Sequence, residues 1–157
     1  MQKEEVSRRN DGAGSQTRHK MKAVLENVPL VIDCVTKSAQ RAGFAGHALY
    51  DIQLAVDEAC ANVVYHAYRG MEPGEMEVCC CLDGPALVIR VRDWGRPFNP
   101  DSVPEPDVDA PLEERELGGL GMFLLKQVMD QIQYTFDPEN GNELKMVKRL
   151  QVAGEPA

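Results

Sequence analysis

Between His47 and Arg92 the spacing of apolar residues switches from a helical to a strand period, and this switch excludes most architectures. Leu49, Ile52, Val56, Cys60, Val63 and Ala67 recur at threes and fours, which predicts a helix from His47 to Tyr68 with one core-facing stripe. Gly70, Pro73 and Gly74 stop it. Beyond them Met76, Val78, Cys80 and Leu82 alternate with Glu75, Glu77, Cys79 and Cys81. Asp83-Gly84-Pro85 then turns the chain, and Leu87, Ile89 and Val91 alternate with Val88, Arg90 and Arg92. That pattern predicts an antiparallel hairpin with one buried face.

The flanking segments extend the same scheme. A short strand is expected from Lys22 to Glu26, followed by a helix in which Leu30, Val31, Cys34, Val35 and Ala42 keep helical spacing up to Gly43. A third helix opens at Gly118-Gly119-Leu120-Gly121, with Leu120, Phe123, Leu124 and Val128 on one side. Two closing strands, with Ile132, Tyr134 and Phe136 and then Leu144 and Met146 as inward candidates, flank a turn from Asp137 to Asn142. Strands and helices do not alternate regularly. The predicted class is therefore α+β, a two-layer arrangement of a mainly antiparallel sheet with helices on one face, not a doubly wound parallel sheet.

The length of 157 residues suits one domain, placed at residues 21–152. Residues 1–20 are polar and rich in turn formers, and are expected to form a disordered leader, with a short tail at 153–157. Residues 97–118 contain Pro97, Pro100, Pro104, Pro106 and Pro111, and seven carboxylates lie between Asp101 and Glu116. Neither a helix nor a central strand tolerates that composition, so the segment reads as a lid.

The formal charge of −8 leaves no electrostatic footprint for a nucleic acid or an anionic membrane. The imbalance is concentrated in the domain, because residues 1–22 carry six basic against three acidic side chains. The first twenty residues lack a signal-like apolar stretch and no apolar run approaches a membrane span, so a soluble, cytoplasmic protein is expected. Cys34, Cys60, Cys79, Cys80 and Cys81 have no metal-ligand spacing and read as buried, reduced thiols.

Three places carry chemistry-bearing residues. Glu58 and Asn62 stand one turn apart on the long helix, and a helical wheel sets them roughly opposite the apolar stripe. A carboxylate there accepts a proton from a hydroxyl, and a carboxamide oxygen is a hard ligand suited to Mg²⁺. Taken alone, such a pair is usually an ordinary solvated helix face. His66 extends the same side and by itself reads as a capping or packing residue. Asp93-Trp94-Gly95 ends the second hairpin strand: the aspartate can accept from an exocyclic amine, and the glycine permits close approach. Alone it is a turn. Gly119 and Gly121 precede a helix, where free backbone N–H groups favour an anion. No Lys-Ser/Thr pair follows these glycines, which excludes a Walker-type loop, and no strand precedes them as a Rossmann fingerprint requires.

In this order and spacing, Glu58/Asn62, Asp93/Gly95, the lid and Gly119/Gly121 resemble the nucleotide-binding boxes of the GHKL superfamily of ATPases and kinases. Within it, the segments AVDEACANVVYHAY, VIRVRDWGRPFNP, GGLGMFLLKQVMDQIQY and GNELKMVKRL are similar to those of the small bacterial anti-sigma factor serine kinases, over about Met21 to Leu150. The resemblance implies a Bergerat-type fold with a mixed, mostly antiparallel sheet backed by helices. It implies that Asn62 holds Mg²⁺ on the ATP phosphates and that Glu58 is general base for a serine or threonine hydroxyl. Asp93 would bind the adenine amine, Gly95 would let the base sit close, and Gly119 and Gly121 would face the phosphates from the hinge of an ATP lid. His66 matches a position often filled by histidine. Arg96-Pro97 and Asn142-Glu143 depart from the superfamily pattern.

The expected function is then Mg-ATP-dependent phosphorylation of a small antagonist domain, with a sigma factor as the alternative partner and homodimerisation as a further family expectation. A non-catalytic, ATP-dependent binding module is the competing reading. A histidine-kinase core would need a phosphoacceptor in a helical hairpin, and neither His19 nor His47 lies in one.

Overall fold

The computed structural model describes residues 5–10, 15–97 and 119–151. Six strands form one sheet: β1 (Glu5–Asn10), β2 (Ser15–Lys22), β3 (Glu75–Asp83), β4 (Ala86–Asp93), β5 (Gln131–Asp137) and β6 (Gly141–Arg149). Their spatial order is β1-β2-β3-β4-β6-β5, and every pairing among the described residues is antiparallel. Three helices, α1 (Val28–Arg41), α2 (Gly46–Asn62) and α3 (Gly119–Val128), complete the α+β, two-layer fold expected from the period switch. The lid residues 98–118 and the tail 153–157 lie outside the described residues.

Strand parity decides which residues meet the helices. Val78, Val91, Leu144 and Tyr134 stand in one cross-strand row, and Cys80, Ile89, Met146 and Ile132 in the next. Most of these side chains are buried in the same cluster as Val31, Val35, Ile52, Val56 and Leu125 of the three helices. The opposite sheet face carries charge, with Arg92 Nη2 bonding Glu143 Oε2 at 2.6 Å and Arg18 Nε standing 3.7 Å from Glu77 Oε1. Cys79, Cys80 and Cys81 therefore alternate between faces, and none of the five cysteines forms a disulfide among the described residues. Burial pushes the Cys60 and Cys80 thiols up to about 12, so neither is a nucleophile near neutral pH.

Both ends of α1 have an identifiable cause. α1 admits Pro29 because it lies in the first turn, where an N–H would lack an intrahelical partner. It ends in a Schellman arrangement: Gly43 takes φ +102, its N–H donates to Gln40 O, and Phe44 N donates to Ala39 O. α2 runs directly into a π-helical turn, Val63–Ala67, so the long helix predicted to Tyr68 widens over its last turn. Widened turns of this kind often accompany functional sites.

Three expectations are corrected. The polar leader to residue 20 is not wholly disordered, because Thr17 to Lys22 pair with β3 from Cys80 to Glu75 and β1 pairs with β2. A strand near the sheet edge draws its stability from backbone bonds and cross-strand pairs such as Lys20–Glu75 (3.1 Å), so a polar sequence is no obstacle. That strand stops at Lys22, and the segment read as strand to Glu26 instead enters a 3₁₀ turn at Leu25–Asn27. Phe136, expected inward, is 52% exposed near the end of the edge strand β5.

Candidate functional site

The inner row beyond Val78–Val91–Leu144 contains Met76, Asp93, Asn142 and Phe136 in register. Two polar residues thus enter the helix-facing side of the sheet at the end nearest the last turn of α2. Asp93 is 7% exposed and Asn142 1%. Asp93 Oδ1 accepts from Gly95 N at 3.0 Å and from Asn142 Nδ2 at 2.8 Å. Burial raises the Asp93 carboxyl above its ordinary range, and these two donors partly offset the effect.

A pocket opens beside this pair, lined by Ala59, Asn62, Val63 and Ala67 from α2 and its π-helical end, by Val91, Asp93 and Arg96, and by Tyr134 and Leu144. A mostly apolar concavity with a few converging polar groups is the usual form of a small-molecule site. Asn62 lines it, so this side chain borders the buried stripe and does not stand opposite it. The cause is Ala55 and Ala59, which are buried at 0% and 2% exposure and widen the core-facing side of α2 toward Asn62. Glu58, one turn earlier, is half-buried and does not line the pocket. Burial, with Asp57 beside it, raises its carboxyl above the usual glutamate range.

The loop after β4 is fixed from two sides. Arg96 N donates to Ala67 O at 2.7 Å, and a Cβ on Gly95 would overlap the Ala67 carbonyl and methyl. Glycine at 95 is thus required by the chain's own backbone, a reason that sequence spacing does not supply. Tyr68 Oη accepts from Trp94 N at 3.0 Å and donates to Glu75 O at 2.6 Å, which joins the end of α2 to β3 and β4. Trp94, 41% exposed, carries the Lys20 ammonium 5.0 Å from its ring centroid.

Gly119 and Gly121 fall within the first turn of α3, and α3 packs against α2. At the far end Lys148 Nζ donates to Val128 O at 2.6 Å and to Asp51 Oδ2 at 3.2 Å, which ties the last turn of α3 to the start of α2. The described residues contain no cluster of three or more His, Cys, Asp or Glu able to hold a metal.

Residues 21–148 match the family described as the histidine kinase-like ATPase domain. The chain belongs to that family. Its resemblance to the GHKL superfamily, and the fold this implies, therefore stand. Among curated proteins, the chain is 37% identical to the serine-protein kinase RsbW of Listeria monocytogenes over 103 residues, 63% of this chain and 66% of that protein. It is 34% identical to the protein of the same name from Bacillus mycoides over 136 residues, 84% of this chain and 83% of the relative. With that from Halalkalibacterium halodurans the identity is 37% over 130 residues, 80% and 78% of the two chains. No helix among the described residues is long and apolar enough to cross a membrane.

Within this ATPase domain, the structure brings Asn62 and Asp93 to one pocket, sets Gly95 behind them, and leaves Glu58 one turn away. His66 sits in the π-helical turn, where burial and then Arg69 lower its pKa. Sequence reading marked Tyr134 only as an inward residue and Arg96 only as a departure from the superfamily pattern, and it assigned no part to Tyr68 or the Ala67 carbonyl. Tyr68, Arg96 and the Ala67 carbonyl act through contacts between segments far apart in the chain, and no local signal marks them.

Proposed function

We propose that this chain is a Mg-ATP-dependent protein serine/threonine kinase of the anti-sigma factor type, acting on a small antagonist protein in a partner-switching pathway. The observation that carries the reading is the shared pocket of Asn62 and Asp93: an amide on a helix and a buried carboxylate at a strand end face one apolar cleft. Family membership and relatives named serine-protein kinases support it.

In this reading the exocyclic amine of adenine donates to Asp93, and Val91, Leu144, Ala59 and Ala67 supply the apolar walls for the base. Asn62 contributes one oxygen to Mg²⁺, and the absence of a carboxylate cluster among the described residues fits an ion held mainly by phosphates and water. When bound, the ion neutralises charge on the phosphates. Backbone N–H groups at Gly119 and Gly121 face the same phosphates at the start of α3. Glu58 takes the proton of the attacking hydroxyl, and its partial burial moves its pKa toward working pH. A sigma factor is the alternative partner, held when the antagonist is absent or already modified. A homodimer in the cytoplasm is the expected working form.

The position of Glu58 outside the pocket lining favours a second reading, an ATP-dependent binding module without transfer chemistry. Calorimetric titration with ATP, with and without Mg²⁺, tests the shared core of both readings. Metal-dependent ATP binding that loses its metal dependence in Asn62→Ala is expected. No heat with ATP overturns both, and an intact metal requirement in Asn62→Ala overturns the metal assignment.

A further inference from the structure

Asn142 faces Asp93 directly across the β4–β6 ladder and is almost wholly buried. Its Nδ2 donates to three acceptors: Asp93 Oδ1 at 2.8 Å, Gly95 O at 3.1 Å and Arg96 O at 3.3 Å. The Oδ1 of the same side chain is buried with no hydrogen-bond partner among the described residues. Turning the amide over would set its oxygen against three oxygens, so the orientation is dictated by Asp93 and the loop. Buried acceptors without partners are uncommon, and this amide forgoes its own acceptor bond to keep a donor on the carboxylate.

The consequence falls on Asp93. Its Oδ1 already receives both Gly95 N and Asn142 Nδ2, which leaves Oδ2 for an incoming donor. We propose that Asn142 is a positioning residue for base recognition, presenting Asp93 Oδ2 as a pure acceptor and so favouring a 6-amino purine over a 6-oxo purine. This rests on the reading of the pocket as a nucleotide site. A carboxylate oxygen facing the carbonyl of a 6-oxo purine is two acceptors in contact, whereas a protonated or rotated carboxyl would accommodate that carbonyl. Donation from Asn142 favours the ionised form against the opposing effect of burial. The Gly95 and Arg96 carbonyls, held by the same amide, fix the loop that orients Asp93.

The test compares ATP and ITP binding to the full chain, with Mg²⁺, by calorimetry on wild type and Asn142→Leu, with thermal melts to verify folding. Wild type should prefer ATP. Asn142→Leu should weaken ATP binding by about tenfold, the scale of one charge-assisted hydrogen bond, while ITP binding holds, so that the ATP/ITP ratio falls. An unchanged ratio in a folded Asn142→Leu, with ATP still bound by wild type, overturns the inference alone. Wild type that binds neither nucleotide overturns the nucleotide reading with it. If Asn142→Leu does not fold, nitrogen-15 spectra of the wild-type Asn142 side-chain amide decide. Slow solvent exchange with a shift on adding ATP but not ITP supports the role, and an amide indifferent to ATP overturns it.

Discussion

The backbone amide of Arg96 donates to the carbonyl of Ala67 at 2.7 Å and locks the loop after β4 onto the π-helical end of α2. Gly95 lies inside that contact, with no room for a methyl group against Ala67. Gly95→Ala must therefore separate the two segments. A loss of about 2–4 kcal/mol in urea unfolding is expected, the range of overpacking and a lost buried bond combined. A loss below about 0.5 kcal/mol would mean that the segments part freely.

Asp93 carries a stability penalty with a defined sign. Its folded pKa lies above the unfolded value because of burial, so the folded state holds its proton to higher pH and stability falls as pH rises through that interval. Asp93→Asn keeps an oxygen for Gly95 N and Asn142 Nδ2 and removes the buried charge. The variant should melt at a higher temperature than wild type at pH 7 without nucleotide, with the difference shrinking toward pH 4, and its ATP affinity should drop about tenfold or more. Melting curves at several pH values and a nucleotide titration check both halves.

Lys148 and Asp51 form an ion pair whose side chains are only 14% and 12% exposed, and Lys148 also holds the last carbonyl of α3. Lys148→Met leaves the Asp51 carboxylate with the exposed His47 imidazole, 3.6 Å away, in place of its buried partner, and should cost about 3 kcal/mol, whereas Asp51→Leu/Lys148→Met should recover most of that loss. Urea denaturation of the two variants separates them. Equal destabilisation would assign the loss to Lys148's bond with α3.

If Glu58 is the base, Glu58→Gln should lower phosphate transfer to a serine-bearing partner by about 10²-fold or more while leaving ATP affinity within about twofold of wild type. Transfer by wild type should decline on acidification from a higher pH than an ordinary glutamate gives, because partial burial raises this carboxyl and the base works only when ionised. Radiolabel transfer across a pH series measures both. Undiminished transfer by Glu58→Gln removes the residue from the chemistry.

Much of the architecture was legible because it follows from periodicity. The alternation through Leu87, Ile89 and Val91 places Asp93 on the helix-facing side by parity alone, and the helical stripe of α2 puts Ile52, Val56 and Cys60 in the core. What escaped depends on partners distant in sequence. Nothing local distinguishes Thr17–Lys22 as a strand, since its stability comes from β3. A wheel drawn from large apolar residues misplaced Asn62, because two alanines extend the buried side of α2. Asn142 appeared only as a departure from a family pattern, and its part becomes visible once β6 is set beside β4. Tyr68 looked like the end of a helix and proves to be the hydroxyl bridging β3 and β4.

Because β6 lies between β4 and β5, the two polar residues at the rim of the cleft, Asp93 and Asn142, are held in register by a ladder and not by the chain that joins them. The separation of labour leaves the connecting stretch free to vary in length. Closure entropy grows slowly with length, by only about 0.6 kcal/mol for each doubling. Length changes between Pro97 and Gly119 should therefore leave the Asp93–Asn142 pairing in place.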